Sequence, residues 1–319
     1  MNGSAEVFIS VVVPMFNESD NIEILYSRLS AVLESLNQPY EVICVNDGSK
    51  DDTLEKLRQI NNRDIRFKII DLSRNFGKEI ALSAGLDYAR GEVVVPIDAD
   101  LQDPPELIIE MIDKWREGYD VVYAVRSERA GESFLKKWTA AMFYKLIAKI
   151  SPIEIPGNTG DFRLMSRQSV EALRGLRETQ RFMKGLFGWI GFRQIAIIYK
   201  RDARYAGKTK LNYGKLWNLA LEGITSFSYL PLQWSMYFGF IVAFISFIYG
   251  IYMTITTLIY GNPVSGYPSL MVIVLFLGGV QLFTIGIIGE YIGRIYTESK
   301  RRPLYFIREF LGFNEGNKS

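Results

Sequence analysis

Histidine is absent from this 319-residue chain, and cysteine occurs once, at Cys44. The first absence removes Ser-His-Asp and Cys-His nucleophile pairs and every histidine metal site, which leaves carboxylates, Lys, Arg and Tyr to carry any chemistry. A single cysteine allows no disulfide within the chain, in keeping with a reducing compartment, and within the apolar run EVICVN it reads as a small buried hydrophobe. Excess charge of one sign is also lacking. With 37 basic and 35 acidic residues the net charge is +2, so no global basic field argues for nucleic acid as a partner. The start of the chain has neither a basic n-region nor a long apolar h-region; Glu6 precedes FISVVVP, which reads as a strand rather than a signal peptide.

Between Glu222 and Glu290 charge is missing altogether. Two apolar runs lie inside that interval, 234–259 and 270–292. As helices they extend about 39 Å and about 34 Å, against a hydrocarbon core of roughly 30 Å. They predict a two-helix transmembrane hairpin over 233–295; a buried hairpin in a soluble protein is the alternative, and charge-free runs of this length suit lipid better. The connection YGNPVSGYPS has no Lys or Arg, whereas Lys208, Lys210 and Lys215 precede the first run and Arg294, Lys300, Arg301, Arg302 and Arg308 follow the second. The positive-inside rule then predicts an integral protein of the cell (inner) membrane with its N-terminal domain and both termini cytoplasmic. Gly278, Gly279, Gly286 and Gly289 in the second run would let helices approach closely, either within the hairpin or between copies in a homo-oligomer.

Two further segments have interfacial character. SFLKKWTAAMFYKLIAKI, 133–150, sets Leu135, Trp138, Met142 and Ile150 against Lys136, Lys137, Lys145 and Lys149. That is a basic amphipathic helix, for a membrane surface or for ordinary packing on a sheet. The stretch 213–232 is a second such segment leading into the first span, and 296–319 is read as a cytoplasmic tail with disordered composition from Asn314.

The remainder, 1–212, opens as an alternation of short β-branched runs and longer helical ones, the pattern of a mostly parallel sheet covered by helices. Strands are predicted at FISVVVPM, EVICVND, FKIIDL, VVVPID and DVVYAV, and helices over 19–36, 52–62, 78–89 and 105–117. Polar groups follow three of the strands: Asn17-Glu18, Asn46 to Ser49, and Asp98 to Gln102. In open α/β sheets ligands collect at that edge.

The segment VVVPIDADLQ carries the most chemistry. If the backbone stays extended past the apolar run, Asp98 and Asp100 point the same way and present their carboxylates side by side. Such oxygens suit a hard divalent ion, Mg2+ or Mn2+, that keeps coordination positions free for the phosphates of a nucleotide. The competing reading is a turn acid that caps the next helix. Asp103, followed by Pro104, Pro105 and Glu106, has the capping-box pattern and is predicted to fill that role, which leaves Asp98 and Asp100 for chemistry.

VVVPMFNESDNI, VNDGSKDDT, NFGKEIALSAGLDYARGEVVVPIDADLQDPPE and GDFRLMSR, in that order, resemble the family 2 glycosyltransferases of the GT-A fold. More narrowly the chain is similar to the polyprenyl-phosphate glycosyltransferases, among them dolichyl-phosphate mannose synthases and the bacterial bactoprenol glucosyltransferases. The resemblance covers about 8–300 and implies a Rossmann-like mostly parallel sheet with helices on both faces, in front of the transmembrane hairpin. It further implies that Pro14, Phe16, Asn17 and Glu18 line the nucleotide pocket, that Asp47 contacts the uracil or guanine edge, and that Lys78 is among the substrate-binding residues. Asp98 is placed by it at the donor's ribose-phosphate region and at the metal, with Asp100 and Gln102 as metal ligands. Asp161 matches the acid that reaches toward the transferred sugar, and Arg204 and Lys208 the basic loop that closes over the diphosphate. Asp161 as a turn cap and the two basic residues as a solvated face are the competing readings. Arg126 and the pair Lys136-Lys137 fall where the family grips the lipid phosphate.

These correspondences imply inverting transfer of a hexose from a nucleotide sugar, UDP-glucose first, to a polyprenyl phosphate such as undecaprenyl phosphate. A phosphomonoester is already largely dianionic at neutral pH, so a site without histidine needs no general base for it. GDP-mannose and UDP-linked aminoarabinose derivatives are the alternative donors. A processive polysaccharide synthase would add a QxxRW-type motif and more spans, and a nonenzymatic membrane scaffold would have lost the metal acids; neither departure is visible.

Overall fold

A computed structural model describes residues 7–127, 159–179, 181–199, 230–261 and 266–313. The chain divides into two compact units, Met1–Ala220 with Pro303–Ser319, and Leu221–Arg302. The two amphipathic segments, 133–150 and 213–229, lie outside the described residues, as do Lys136, Lys137, Arg204, Lys208 and the tail from Asn314.

In the first unit the described residues alternate strand and helix as the apolar periodicity requires: β1 Ile9–Met15, α1 Ile22–Ser35, β2 Tyr40–Asn46, α2 Thr53–Arg63, β3 Phe67–Leu72, α3 Lys78–Tyr88, β4 Val93–Pro96, α4 Leu107–Arg116 and β5 Val121–Arg126. Then follow β6 Thr159–Ser166, α5 Arg167–Gly175, α6 Met183–Trp189 and β7 Gln194–Tyr199, and after the second unit β8 Ile307–Leu311. All eight strands form one sheet in the order β7-β5-β6-β4-β1-β2-β3-β8. The ladders β1–β2, β1–β4, β2–β3 and β5–β7 are parallel; β4–β6, β5–β6 and β3–β8 are antiparallel. Antiparallel β6 is wedged between β4 and β5, so the sheet is mixed at this end.

Ile9, Val11, Val12 and Val13 of β1 are buried whichever way they point, as expected of a central strand covered on both faces. Helix α1 buries Ile22, Leu25, Leu29, Val32 and Leu33, a helical stripe, against one face. On α3 the closest approach falls at Gly85, where a Cβ would sit 2.2 Å from Cγ1 of Val12. Only a residue without a side chain lets α3 lie this near β1.

Beyond the last predicted strand the sequence reading stops short. Residues 307–311, part of the stretch read as a tail, are strand β8, which pairs Ile69 with Leu311 and Asp71 with Glu309. The chain therefore leaves the first unit before residue 221 and rejoins it at residue 303.

The second unit consists of α7 Leu230–Tyr260 and α8 Tyr267–Ser299. Within them Trp234–Tyr260 and Phe276–Ser299 are long and apolar enough to cross a membrane, with mean hydropathy 2.0 and 1.4. Phe240, Phe244, Leu258, Leu282 and Phe283 are all exposed. That exposure is what lipid-facing residues show and a soluble core helix does not.

Candidate active site

The chain passes from β1 outward through β2 and β3, then returns to place β4 on the other side of β1. Such a reversal opens a crevice at the strands' carboxyl ends. The segment after β1 and the segment after β4 flank it.

On the β1 side, two loops are bound together by side-chain hydrogen bonds. Asn17, held at φ 55°, donates its N–H to Ser49 Oγ at 3.0 Å and accepts the Lys50 N–H on its own Oδ1 at 2.8 Å. The Glu18 N–H donates to Thr53 Oγ1 at 2.9 Å, and the Glu18 carboxylate accepts from Asn21 Nδ2 at 2.7 Å. Gly48 closes this loop at φ +65°; a Cβ there would lie 2.6 Å from the backbone of Arg74 and Asn75.

Asp47 is buried and its carboxylate accepts the N–H groups of Phe76 at 2.7 Å and Gly77 at 3.0 Å. Burial pushes its pKa up, against the pull of those two amides. Both oxygens thus fix the turn that leads into α3, whose first residue is Lys78. The β2 loop aims the lysine.

Lys78 reaches the β4 side. Its Nζ lies 2.6 Å from Asp98 Oδ1 and 2.5 Å from Asp161 Oδ2. The acids meet because β6 runs antiparallel beside β4, pairing Met165 with Val94, so that the start of β6 lies alongside the segment that follows β4. Three carboxyl groups crowd here, since Glu79, next on α3, feels the charge of both Asp161 and Asp98.

Electrostatics sorts these groups. Burial raises Asp161, but the Lys78 ammonium, with Lys184 of α6 and Arg163 behind it, more than offsets this and holds the carboxyl down at about 2. Asp98 is raised by burial and by the Asp161 charge, with Lys78 opposing. Glu79 goes up to about 8, from burial first and the negative charge of Asp161 second. One ammonium serves two acids, and the pair titrates as a unit. Asp161 Oδ1 and Glu79 Oε2 are buried with no hydrogen-bond partner among the described residues.

The metal-ligand expectation needs a different local basis from the one read in the sequence. Strand β4 ends at Pro96; residues 99 and 100 turn, Leu101 is at φ 58°, and Asp100 Oδ1 accepts the Gln102 N–H at 3.2 Å. Asp98 and Asp100 are joined by a turn and not by extended backbone. Among the described residues no group of three or more His, Cys, Asp or Glu side chains converges as a ready metal site.

Asp103 also differs from its expected role. Helix α4 has Glu106 at its N-cap position with no side-chain cap. Asp103 is instead buried and accepts the Tyr199 hydroxyl from β7. That hydroxyl in turn accepts from Arg126 Nε at 3.4 Å, and Arg126 Nη2 lies 4.0 Å from Asp103. Burial alone would lower Arg126, but Tyr199 and Asp103 keep its pKa raised. The arginine sits beside the acids: a Cβ on Gly160 would lie 3.0 Å from its Nη2.

The structure thus brings together Lys78, Asp98, Asp161 and Arg126 at one edge, with Asn17, Glu18 and Asp47 across the crevice. Glu79, Arg163, Lys184 and Tyr199 were not singled out in the sequence. Arg163 could have been, because it is two residues from Asp161 on a strand and shares its face. Its guanidinium stacks 3.5 Å from the Phe187 ring centroid and donates to the Gly160 carbonyl at 2.9 Å.

Residues 10–174 match the family described as Glycosyl transferase family 2, and residues 230–295 match the GtrB C-terminal hairpin. The chain is a family 2 glycosyltransferase. This glycosyltransferase is 57% identical over 304 residues to an uncharacterized glycosyltransferase, sll0501, of Synechocystis, covering 95% of this chain and 96% of that one. It is 52% identical over 300 residues to the bactoprenol glucosyl transferase of Shigella phage SfV, covering 94% and 98%. A prophage bactoprenol glucosyl transferase homolog of Escherichia coli K12 is 50% identical over 300 residues, covering 94% and 98%. Among solved structures, glucosyl-3-phosphoglycerate synthase from Mycobacterium tuberculosis, in complex with Mn2+ and UDP-glucose, aligns at 22% identity with TM-score 0.46, covering 67% of this chain and 76% of that one. The glycosyltransferase has a GT-A-like mixed sheet with helices, followed by two apolar helices.

Proposed function

We propose that the protein transfers glucose from UDP-glucose to a polyprenyl phosphate at the cytoplasmic face of a membrane, with inversion and with a divalent ion. The similarity to bactoprenol glucosyl transferases runs through the glycosyltransferase domain and the hairpin alike, and it supports both the sugar and the lipid. A long isoprenoid leaves the bilayer only at a cost of roughly 0.8 kcal/mol per CH2, so the catalytic domain must work at the surface. The chain leaves the first unit, makes two apolar helices and returns to it in β8. Two crossings would put both flanks on one side, and the Lys and Arg residues of those flanks favour the cytoplasm.

The observation that carries the mechanism is the ion pair of Asp161 with Lys78. A carboxylate held at about 2 and bonded to an ammonium is a poor proton acceptor at neutral pH. The acceptor must bring an ionised oxygen of its own, and a lipid phosphate does so. Its oxygen attacks the anomeric carbon while the bond from that carbon to the nucleoside diphosphate breaks on the opposite face. A single displacement of this kind inverts the configuration. Asp161 then positions the sugar or the acceptor, Arg126, braced by Tyr199 and Asp103, holds the lipid phosphate, and Asn17, Glu18 and Asp47 shape the nucleotide side.

Asp98, Asp100 and Gln102 would hold Mg2+ or Mn2+. They offer only oxygen ligands, and Asp98 already accepts a cationic group, the Lys78 ammonium, at 2.6 Å, so hard-ion chemistry fits the donor set. When bound, the ion neutralises charge developing on the departing diphosphate. The test is a panel of UDP-glucose, GDP-mannose and UDP-linked aminoarabinose with undecaprenyl phosphate as acceptor. Transfer from UDP-glucose alone is expected; transfer only to a soluble glycan would favour a polysaccharide synthase, and no transfer at all a scaffold.

A further inference from the structure

The strand that follows the membrane hairpin contacts more than the sheet edge. Arg308 Nη1 lies 3.3 Å from Oδ2 of Asp71, a carboxylate that is 1% exposed, and its Nη2 donates to the Ser73 carbonyl at 2.7 Å. Asp71 Oδ1 accepts Nδ2 of Asn46, its cross-strand neighbour, at 2.7 Å. The other end of that same amide, Asn46 Oδ1, accepts the Ser49 N–H at 3.3 Å, and Ser49 Oγ receives the Asn17 N–H. An unbroken line of side chains runs from β8 to the loops flanking the crevice.

We infer that Arg308 is a positioning residue for the nucleotide, acting through Asp71 and the Asn46 amide on the conformation of the 46–50 loop. This rests on the reading of Asn17 and Asp47 as part of the nucleotide pocket. The chemistry lies in the amide's orientation. Asn46 can present Oδ1 to Ser49 only while its NH2 end faces an acceptor, and an ionised Asp71 is acceptor-only. Without the guanidinium, Asp71 would lose the partner that fixes its orientation, its grip on Asn46 Nδ2 would loosen, and the amide could turn Oδ1 away from the Ser49 N–H. Donor affinity would then depend on residues that follow the membrane spans in sequence, although Arg308 touches no substrate.

The experiment uses the full chain in lipid nanodiscs. UDP binding in divalent buffer is measured by calorimetry, and KM for the sugar nucleotide and for the lipid are measured separately. Arg308→Ala is expected to raise the UDP Kd and the donor KM about tenfold, the scale of one lost charge-assisted hydrogen bond, with kcat and the lipid KM unchanged. Arg308→Lys should recover most of the loss. Glu309→Ala, which removes the 2.6 Å ion pair from β8 to Arg58 of α2 but leaves the side-chain contacts of Asp71 with Arg308 and Asn46 in place, should bind UDP like the wild type. Should Arg308→Ala fold poorly, Asp71→Leu, which is close in size and offers no acceptor, must reproduce the donor-specific loss. A lowered melting temperature with unchanged UDP affinity, or equal losses in Arg308→Ala and Glu309→Ala, would reduce Arg308 to a structural tie and overturn the inference. A wild type that binds no nucleoside diphosphate would overturn the pocket reading itself, whereas normal wild-type binding with unaffected variants would overturn only the role of Arg308.

Discussion

Lys78 Nζ stands 2.5 Å from Asp161 Oδ2, joining the first residue of α3 to a strand 83 positions later in the chain. With Asp98 on its other side, this ammonium is the counter-charge shared by a buried acid and a half-buried one. Lys78→Met should lower turnover by about 100-fold or more, the scale at which removal of one preorganised electrostatic partner is felt. Its affinity for Mn2+ without nucleotide should rise, since an added cation replaces the lost one. Near-normal turnover, with unchanged Mn2+ titration, would contradict this role.

A base role and a positioning role for Asp161 give different pH profiles. If Asp161 positions, Asp161→Asn should be slow but keep an acidic limb near pH 6, where the acceptor phosphate takes its proton. Loss of that limb in the variant would assign the proton to Asp161.

Glu79 supplies a stability test with a defined sign. Its folded-state pKa is raised to about 8 from an ordinary 4.5, so the fold keeps a proton that the unfolded chain releases. The contribution is full below about pH 4.5 and is lost as pH rises through about 8, at most about 1.4 kcal/mol per pH unit across that window. Glu79→Gln should flatten the fall in melting temperature between pH 5 and 8. Parallel curves for variant and wild type would remove Glu79 as the cause.

At Gly48 both the backbone and the space forbid a side chain. Gly48→Ala should destabilise the fold by about 1–3 kcal/mol and weaken donor binding, because the Arg74–Asn75 backbone must shift. Thermal melting with and without UDP checks both effects.

Asp100→Ala is expected to abolish turnover while leaving the melting temperature close to wild type. Wild-type-like rates in that variant would remove Asp100 from the metal site.

Much of the first half was legible because its strands are uninterrupted β-branched runs. FKIIDL is β3 to the residue, and the helix predicted from 78 begins there. Strand β6 was obscure as secondary structure because Gly160, Asp161 and Arg163 break its apolar pattern, and the charges of Asp161 and Arg163 belong to the site they form. Strand β8, IREFL, is only five residues long and sets two adjacent charges among its apolar residues, and its partner lies more than 200 residues earlier; no local pattern encodes that pairing. Asp103 misled because a capping-box pattern specifies only local hydrogen bonds, whereas a hydroxyl from Tyr199 competes for the same carboxylate. The meeting of Asp98 with Asp161 at Lys78 was not read from the sequence, because it depends on β6 lying antiparallel beside β4, which is a property of the fold.

The most direct test follows UDP release from UDP-glucose by the purified full chain in vesicles. UDP should appear only when undecaprenyl phosphate and Mg2+ or Mn2+ are both present, with glucose recovered on the lipid in the inverted configuration. Release at the same rate without the lipid, release that survives a chelator, or a product of retained configuration would contradict the account.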